Sequence, residues 1–268
     1  MMKLRVHQSM LQRARLAGAV LGALAALVST QALAQPRGQD QAQDQAQAQA
    51  ISSAETLLFE TDHLARMKAP ATLVYEFRKV SNVEPGFSDK VRLDLAKVKG
   101  KLSATLHFLS GEHKQEIPTL EEAHGNPVLL GFLEHDIAEM KRLTGGSTSY
   151  FRKRIRMALA QDAQVSKQSI SYQGKGLQAQ VVRIQPYLHD PMHASFEKYV
   201  RKTYTFVLSE QVPGGLYELR TSLGNGAAVQ TDAAQAAAPS AASPPEAPDA
   251  AAVIDETLTL TSVTPTQP

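Results

Sequence analysis

Metal-ligating residue types are concentrated in one short stretch of the chain. His189 and His193 flank an aspartate and a methionine, and a third candidate ligand, His135, lies on a predicted helix. Imidazole, carboxylate and thioether groups are all donors that a metal such as copper accepts. Neither the loop nor the helix alone supplies the three or four ligands of a complete site. A metal site therefore requires the loop to approach His135 or His107; otherwise the stretch is an ordinary loop sequence.

A glycine-containing turn before a basic helix is the second candidate site. Gly146 and Ser147 precede a helix in which Arg152 and Arg156 lie one turn apart. Unpaired N–H groups and the helix dipole favour an anion at such a helix start. The same residues also fit a capped turn followed by a solvated basic face. The pattern therefore indicates either a site for a phosphate, a lipid headgroup or an acidic partner, or a purely structural turn.

The sequence contains no recognised catalytic motif. His135 and Asp136 are adjacent, so on a helix their side chains point about 100° apart and cannot form a nucleophile relay with each other. A Gly-x-Ser-x-Gly elbow, a His-Glu-x-x-His pair and a phosphate loop are all absent from the sequence. We therefore expect a protein that is not an enzyme and that needs no cofactor.

A predicted helical hairpin, residues 126–161, positions several of these side chains. Asn126 is a good N-cap, and Pro127 fits the first helical position. Apolar residues then recur every three or four positions, which predicts one buried stripe along each helix. Gly145 can end the first helix in the left-handed conformation, and Ser147 can cap the second.

Strand-like alternation surrounds the hairpin on both sides. Apolar and polar residues alternate in three runs between residues 71 and 108, in a short segment ending at Ile117, and again between residues 170 and 223. A period of two with one apolar face predicts half-buried antiparallel strands. We count seven or eight strands, whose apolar face the hairpin can cover. The sequence therefore predicts an α+β fold, a curved antiparallel sheet or half-barrel with the hairpin on its concave side.

Eight apolar residues are the candidate lining of a ligand cavity between the sheet and the hairpin. If the helices cover the concave face without filling it, an acyl chain or another hydrophobe can lie there. The alternative is a concave face that the helices fill completely. The candidate lining residues are Tyr75, Phe77, Leu93, Leu106, Phe108, Leu133, Ile137 and Met140.

Composition divides the chain into four segments. Residues 1–34 have the basic, apolar and small-residue parts of a secretory signal peptide, and residues 35–51 form an Ala- and Gln-rich linker. Residues 52–223 have the size of a single domain. Residues 224–268 are mostly Ala and Pro, so we expect them, like the linker, to be disordered. The alternative for the late run Val253-Ile254 and Leu258-Thr259-Leu260-Thr261, which has β character, is a single docked strand.

The predicted domain opens with a short helix. Ser52 and Glu55 have the spacing of a capping box, in which each side chain binds the backbone of the other residue. A broken helical pattern follows, and Pro70 cannot continue it. We expect an entry helix that ends before Pro70.

The predicted signal peptide sets the compartment. Its apolar run is shorter than the roughly 20 residues of a membrane span, so we expect cleavage after Ala34, no stable membrane anchor and a periplasmic location. Without the four basic residues of the signal, 24 of the 28 Lys and Arg remain, against 26 Asp and Glu, which gives a net charge of −2. That charge gives no general attraction to nucleic acid. The absence of cysteine excludes disulfides and thiolate sites.

The order of export signal, strands, helical insertion and further strands resembles that of bacterial periplasmic half-β-barrel proteins, which include lipoprotein-localisation carriers. The resemblance covers residues 71–223 as a pattern of elements. Residues 126–128 (Asn-Pro-Val) and 212–217 (Val-Pro-Gly-Gly-Leu-Tyr) are similar to segments of an uncharacterised exported proteobacterial family. The resemblance implies a half-barrel sheet and assigns no functional residue.

Three functions are compatible with these patterns. The first is a soluble periplasmic binding or carrier module for a hydrophobic or lipid-like ligand. The second is a non-catalytic interaction or scaffold protein with a solid core, which recruits a protein partner through its basic helix or its tails. The third is a metal-handling protein that uses the loop from His189 to His193. An open cavity under the hairpin distinguishes the first function from the second.

Overall fold

The computed structural model describes residues 51–223 and 252–265. The predicted signal peptide, nearly all of the predicted linker and the remainder of the predicted tail lie outside these residues. The helices are α1 (Ser53–Glu55), α2 (Pro127–Thr144) and α3 (Thr148–Gln161). The strands are β1 (Ala71–Ser81), β2 (Phe87–Val98), β3 (Lys101–Phe108), β4 (Gln164–Tyr172), β5 (Lys175–Ile184), β6 (Thr203–Leu208), β7 (Leu216–Leu223) and β8 (Ile254–Pro265).

All eight strands belong to one open antiparallel sheet, in the order β3-β2-β1-β8-β7-β6-β5-β4. The helical hairpin is inserted between β3 and β4, and apolar residues of the sheet and of both long helices share one core. The predicted α+β class, a curved antiparallel sheet of seven or eight strands with an inserted helical hairpin, is confirmed.

The strand that the sequence analysis assigned to a disordered tail lies in the middle of the sheet. β8 is paired with β1 on one side and with β7 on the other. Its alternate residues Ile254, Glu256, Leu258 and Leu260 are buried. The predictions of a disordered tail and of a domain that ends at residue 223 are therefore wrong for Ile254–Pro265. The Leu-Thr alternation is short, and its pairing depends on distant strands that local composition does not encode.

The caps of the hairpin agree with the prediction. The Asn126 side chain accepts the N–H of Val128 at 3.1 Å, and Pro127 opens α2. Gly145 ends α2 with φ 74°, and the Ser147 hydroxyl accepts the N–H of Tyr150 at 3.2 Å. Local sequence signals therefore fix both helix starts and the turn between them.

Two predicted segments differ in detail. The capping box at Ser52 is present, but α1 continues only as a π-helical turn, Thr56–Glu60, because Thr61 adopts an extended conformation. The expected strand before Ile117 is reduced to isolated bridges, such as that between Phe108 and Gln115 beside the edge strand β3.

Helix α2 lies directly against β3 at Gly131. A Cβ atom added there would stand 2.8 Å from the side chains of both Leu106 and Phe108. Such a distance is shorter than van der Waals contact, so the helix reaches the sheet only because residue 131 has no side chain. Within residues 51–223 and 252–265, no helix has the length and apolar character needed to cross a membrane.

Candidate functional site

The eight residues predicted to line a cavity lie together in the core between the sheet and the hairpin. Each is at most 6% exposed, and all belong to one hydrophobic cluster. None of them lines the groove described below. The close contact at Gly131 shows how tightly α2 and the sheet are packed. In this structure the helices fill the concave face, which corresponds to the alternative that the sequence left open.

A groove of about 1380 Å³ lies at one end of the sheet. One wall is the segment that leads from α1 into β1, and the other is the turn between β6 and β7. Parts of β4, β5 and the end of β8 complete the lining. The volume exceeds the roughly 300–1,000 Å³ of typical ligand pockets.

The groove has an apolar lining that the sequence analysis did not identify. It comes from segments far apart in the chain, so no local pattern marks it. The apolar lining residues are Leu57, Ala65, Met67, Ala69, Pro70, Ala71, Ala179, Leu208, Val212, Pro213, Val263 and Pro265.

Asn126 joins the two walls of the groove to the start of α2. Its side-chain N–H groups donate to Tyr75 Oη and to the carbonyl oxygen of Gly214, each at 2.9 Å. Its backbone N–H donates to His63 Nδ1 at 3.3 Å. The residue is 3% exposed and also caps α2. We call Asn126, His63, Tyr75 and Gly214 the Asn126 hub.

The turn between β6 and β7 requires glycine at two positions. Gly214 and Gly215 have φ values of 72° and 70°, which side-chain-bearing residues rarely adopt. A Cβ on Gly214 would lie 2.6 Å from Leu73, and one on Gly215 would lie 3.1 Å from His63. The segment that resembled part of an exported family therefore forms a tight turn against the Asn126 hub.

The hydrogen bonds of His63 define its tautomer. Nδ1 accepts from the backbone of Asn126, so Nε2 carries the proton and donates to the carbonyl oxygen of Leu57 at 2.9 Å. Burial lowers the pKa of His63, against smaller raising effects of that hydrogen bond and of Asp62. The neutral imidazole therefore connects the π-helical turn after α1 to Asn126.

Some charged side chains around the groove form ion pairs and others do not. Arg66 binds Glu210 at 3.0 Å across the groove walls, and Asp62 lies 3.0 Å from His124. The lining also contains Lys68 and Lys167. Neither lysine takes part in an ion pair within the described parts of the chain. The lining contains three cationic side chains, Arg66, Lys68 and Lys167, and two carboxylates, Asp62 and Glu210, so its formal charge is positive.

A buried lysine forms an ion cluster at the other end of β1. Lys79 Nζ lies 2.8 Å from Glu84, 3.0 Å from Glu139 on α2 and 3.2 Å from Glu256 on β8. Burial lowers the pKa of Lys79, but the hydrogen bond to Glu84 and the charge of Glu256 outweigh it and raise the pKa above its usual value. The cluster ties the hairpin to the two central strands.

His135 lies in the core beside this cluster. Its Nδ1 accepts from Gln115 Nε2 at 3.1 Å, which leaves the proton on Nε2, 3.8 Å from Glu256 Oε1. Its ring packs edge-on against Phe77. The residue therefore belongs to the interface between hairpin and sheet.

Asp136, the next residue, is fully buried and fully paired. Lys202 Nζ and Tyr204 Oη bind its two carboxylate oxygens. Tyr187 Oη in turn donates to Tyr204 Oη at 2.9 Å. Burial, together with the charge of Asp136, raises the pKa values of Tyr187 and Tyr204 well above the usual value for tyrosine.

Three of the four residues of the predicted anion site, Gly146, Ser147 and Arg152, bind other groups of the chain. Ser147 caps α3, and the Gly146 N–H donates to Thr144 Oγ1 at 3.2 Å. Arg152 makes two hydrogen bonds, of 3.0 and 2.7 Å, to Glu134 on α2. Arg156 is exposed. The arrangement matches the capped turn and solvated face that the sequence offered as the alternative.

The predicted metal loop is organised around its aspartate. Asp190 is 1% exposed, accepts a hydrogen bond from Tyr150 and lies 2.7 Å from Arg154 Nε. His193 Nδ1 contacts the carbonyl oxygen of Asp190 at 2.9 Å, and His189 is exposed. No group of three or more His, Cys, Asp or Glu side chains capable of holding a metal occurs among residues 51–223 and 252–265.

The buried charges were not predicted from the sequence, although β1 contains one signal of them. Lys79 falls in the same phase of the β1 alternation as Tyr75 and Phe77, which places a charge on the inward face. Its partner Glu256 lies in the segment predicted to be disordered.

Comparison with known proteins adds no family. No protein-family model matches the chain, and the search of curated proteins gives no match.

Proposed function

We propose that the protein is exported to the periplasm and binds or carries a hydrophobic or lipid-like ligand, and that the groove is the ligand site. The observation that carries the proposal is the open, partly apolar groove of about 1380 Å³. Ligand sites are typically concave and mostly apolar, with a few polar groups that orient the ligand. Because the helices fill the concave face, the proposed site is the groove and not the eight core residues that the sequence predicted as a cavity lining.

The proposed ligand is a single-chain amphiphile with an anionic head. Its chain lies along the apolar side chains of the lining, such as Met67 and Val212. Its carboxylate or phosphate lies beside Lys68 and Lys167, the cations of the lining without an ion pair in the described residues. Charge complementarity of this kind orients a ligand and favours one charge class over another.

Binding of a fluorescent fatty acid to the delipidated mature protein tests the proposal. Ala69→Trp fills the groove and is expected to abolish binding, whereas Ala194→Trp, on an exposed loop outside the groove, is expected to leave it unchanged. Replacing both Lys68 and Lys167 by Glu is expected to weaken the anionic probe roughly tenfold or more. The same double variant should bind a neutral fatty alcohol as the unmodified protein does. Absence of binding by the unmodified protein contradicts the proposal.

The filled concave face supports a second function, a non-catalytic interaction or scaffold protein. A solid core under the hairpin needs no ligand, and the exposed Lys153 and Arg156 on α3 offer a basic surface to an acidic protein partner. Native mass spectrometry of the purified mature protein distinguishes the two functions. A co-purifying amphiphile supports the carrier, and a bound protein with no lipid supports the scaffold.

A further inference from the structure

Within residues 51–223 and 252–265, β8 is the only strand that pairs with both halves of the sheet. One half is β3-β2-β1 and the other is β7-β6-β5-β4, and β8 lies between β1 and β7. Without β8, both central strands would present open edges with unpaired N–H and C=O groups. The space between β1 and β7 is therefore a strand-binding site that a later segment of the same chain, β8, fills.

The register of β8 is specified by side chains as well as by backbone. Leu258 lies opposite Phe77, and Glu256 lies opposite Lys79, whose Nζ it contacts at 3.2 Å. A shift by one residue would direct Glu256 to the outer face and leave the buried Lys79 without this partner. The site therefore accepts a strand with an acidic residue two positions before a leucine.

The chain that connects β7 to β8 is far longer than the connection needs. Leu223 and Ile254 are paired directly, so a turn of 2–5 residues would join the two strands. Residues 224–253 lie between them instead. Roughly 30 residues span up to about 100 Å when extended. That is more than the roughly 40 Å diameter of a domain of this size.

We propose that β8 can be donated to a second copy of this chain, which gives a strand-exchanged dimer with two complete sheets. Every contact of β8 is the same whether the strand comes from its own chain or from the partner, so only the connection differs. Tethering gives effective concentrations on the order of mM, so the monomer dominates in dilute protein and exchange increases with concentration.

Single-cysteine variants of the mature chain test the exchange, because the natural sequence has no cysteine. Arg78 lies opposite Thr257 on β8, and opposite Ser88 on the other side. Antiparallel neighbours have the Cα separation that a disulfide requires. Arg78→Cys and Thr257→Cys chains, carrying tags of different size, are refolded together at about 10 µM to about 1 mM, around the effective concentration of the tethered strand, and then oxidised. The matched control combines Ser88→Cys with Thr257→Cys, since residue 88 is one strand further from β8.

The proposal predicts a mixed disulfide between the Arg78→Cys and Thr257→Cys chains that increases with protein concentration and exceeds the control pair. Equal yields from both pairs at every concentration, or no mixed disulfide at the highest one, would overturn it. If a variant fails to fold, the pair Glu76→Cys and Thr259→Cys, with Lys90→Cys as its control partner, probes the same two strands. Size-exclusion chromatography then establishes whether the mixed species is a dimer.

Discussion

At the scale of single residues, the side chain of Asn126 makes three hydrogen bonds that a substitution can remove. Asn126→Ala removes the cap of α2 and both side-chain donations, to Tyr75 and Gly214. We expect a loss of about 2–4 kcal/mol in the free energy of unfolding, from one cap and the groups left unpaired. Asn126→Ser keeps an oxygen for the cap and should lose about 1 kcal/mol less. Urea unfolding of the three proteins measures both differences. An alanine variant as stable as the unmodified protein would contradict this role for Asn126.

The lowered pKa of His63 predicts a loss of stability in acid. The folded state holds the imidazole neutral, so the unfolded chain binds more protons once the pH falls below the ordinary value of 6.5. The contribution of His63 is therefore complete above that pH and is lost as the pH falls through the lower pKa of the folded state. Unfolding free energies at pH 7.5 and pH 5 should differ less in His63→Gln than in the unmodified protein. Equal pH dependence of the two proteins would exclude this explanation.

The lysine cluster makes a second prediction about acid. Burial raises the pKa of Glu139, but hydrogen bonds from Arg142 and Lys79 outweigh it and lower the pKa to about 2. The stabilisation is present above the ordinary value of 4.5 and is lost as the pH falls toward 2. Lys79→Met should destabilise the fold by about 3–5 kcal/mol at pH 7, because buried carboxylates lose their counter-charge. The difference in unfolding free energy between Lys79→Met and the unmodified protein should be smaller at pH 3, because the unpaired carboxylates can then be protonated. Denaturation at the two pH values measures it. A constant difference would contradict the pairing.

At the scale of elements, Gly131 tests how closely α2 approaches the sheet. Alanine normally stabilises a helix interior relative to glycine by about 1 kcal/mol. Here the new Cβ would overlap Leu106 and Phe108, so Gly131→Ala should instead destabilise the protein by about 1–3 kcal/mol. Leu130→Ala, on the exposed face of the same helix, is the matched control and should change stability by less than about 0.5 kcal/mol. Thermal unfolding measures whether Gly131→Ala raises or lowers the stability. A gain in stability would mean that the interface between α2 and β3 has space for the added methyl group.

Some elements of the fold could be predicted from the sequence and others could not. The hairpin was predictable because its signals are local: Asn126 and Ser147 cap within three residues, and Gly145 supplies the left-handed turn. β8 was not, because its pairing partners lie far away in sequence and its Leu-Thr run follows a long Ala- and Pro-rich stretch. Glu256, the partner of Lys79, was missed for the same reason.

At the scale of the whole molecule, the location of the open space could not be predicted from composition. The strand alternation correctly placed Tyr75, Phe77 and Phe108 on the inner face. Whether that face is hollow depends on how close the hairpin lies, and Gly131 sets that distance through contacts with β3. The groove forms where residues 57–71, 208–215 and the end of β8 meet, and no local sequence pattern indicates that meeting.

The most direct test of the central claim, a ligand in the groove, is a map of backbone amide chemical shifts of the ¹⁵N-labelled protein titrated with a long-chain fatty acid. We expect saturable shifts in the segment that leads into β1 and in the turn from Ser209 to Gly215. Amides of α2 beside the sheet, such as Gly131, should change little. Shifts confined to the hairpin and the concave strands, or no saturable shifts at all, would contradict the account.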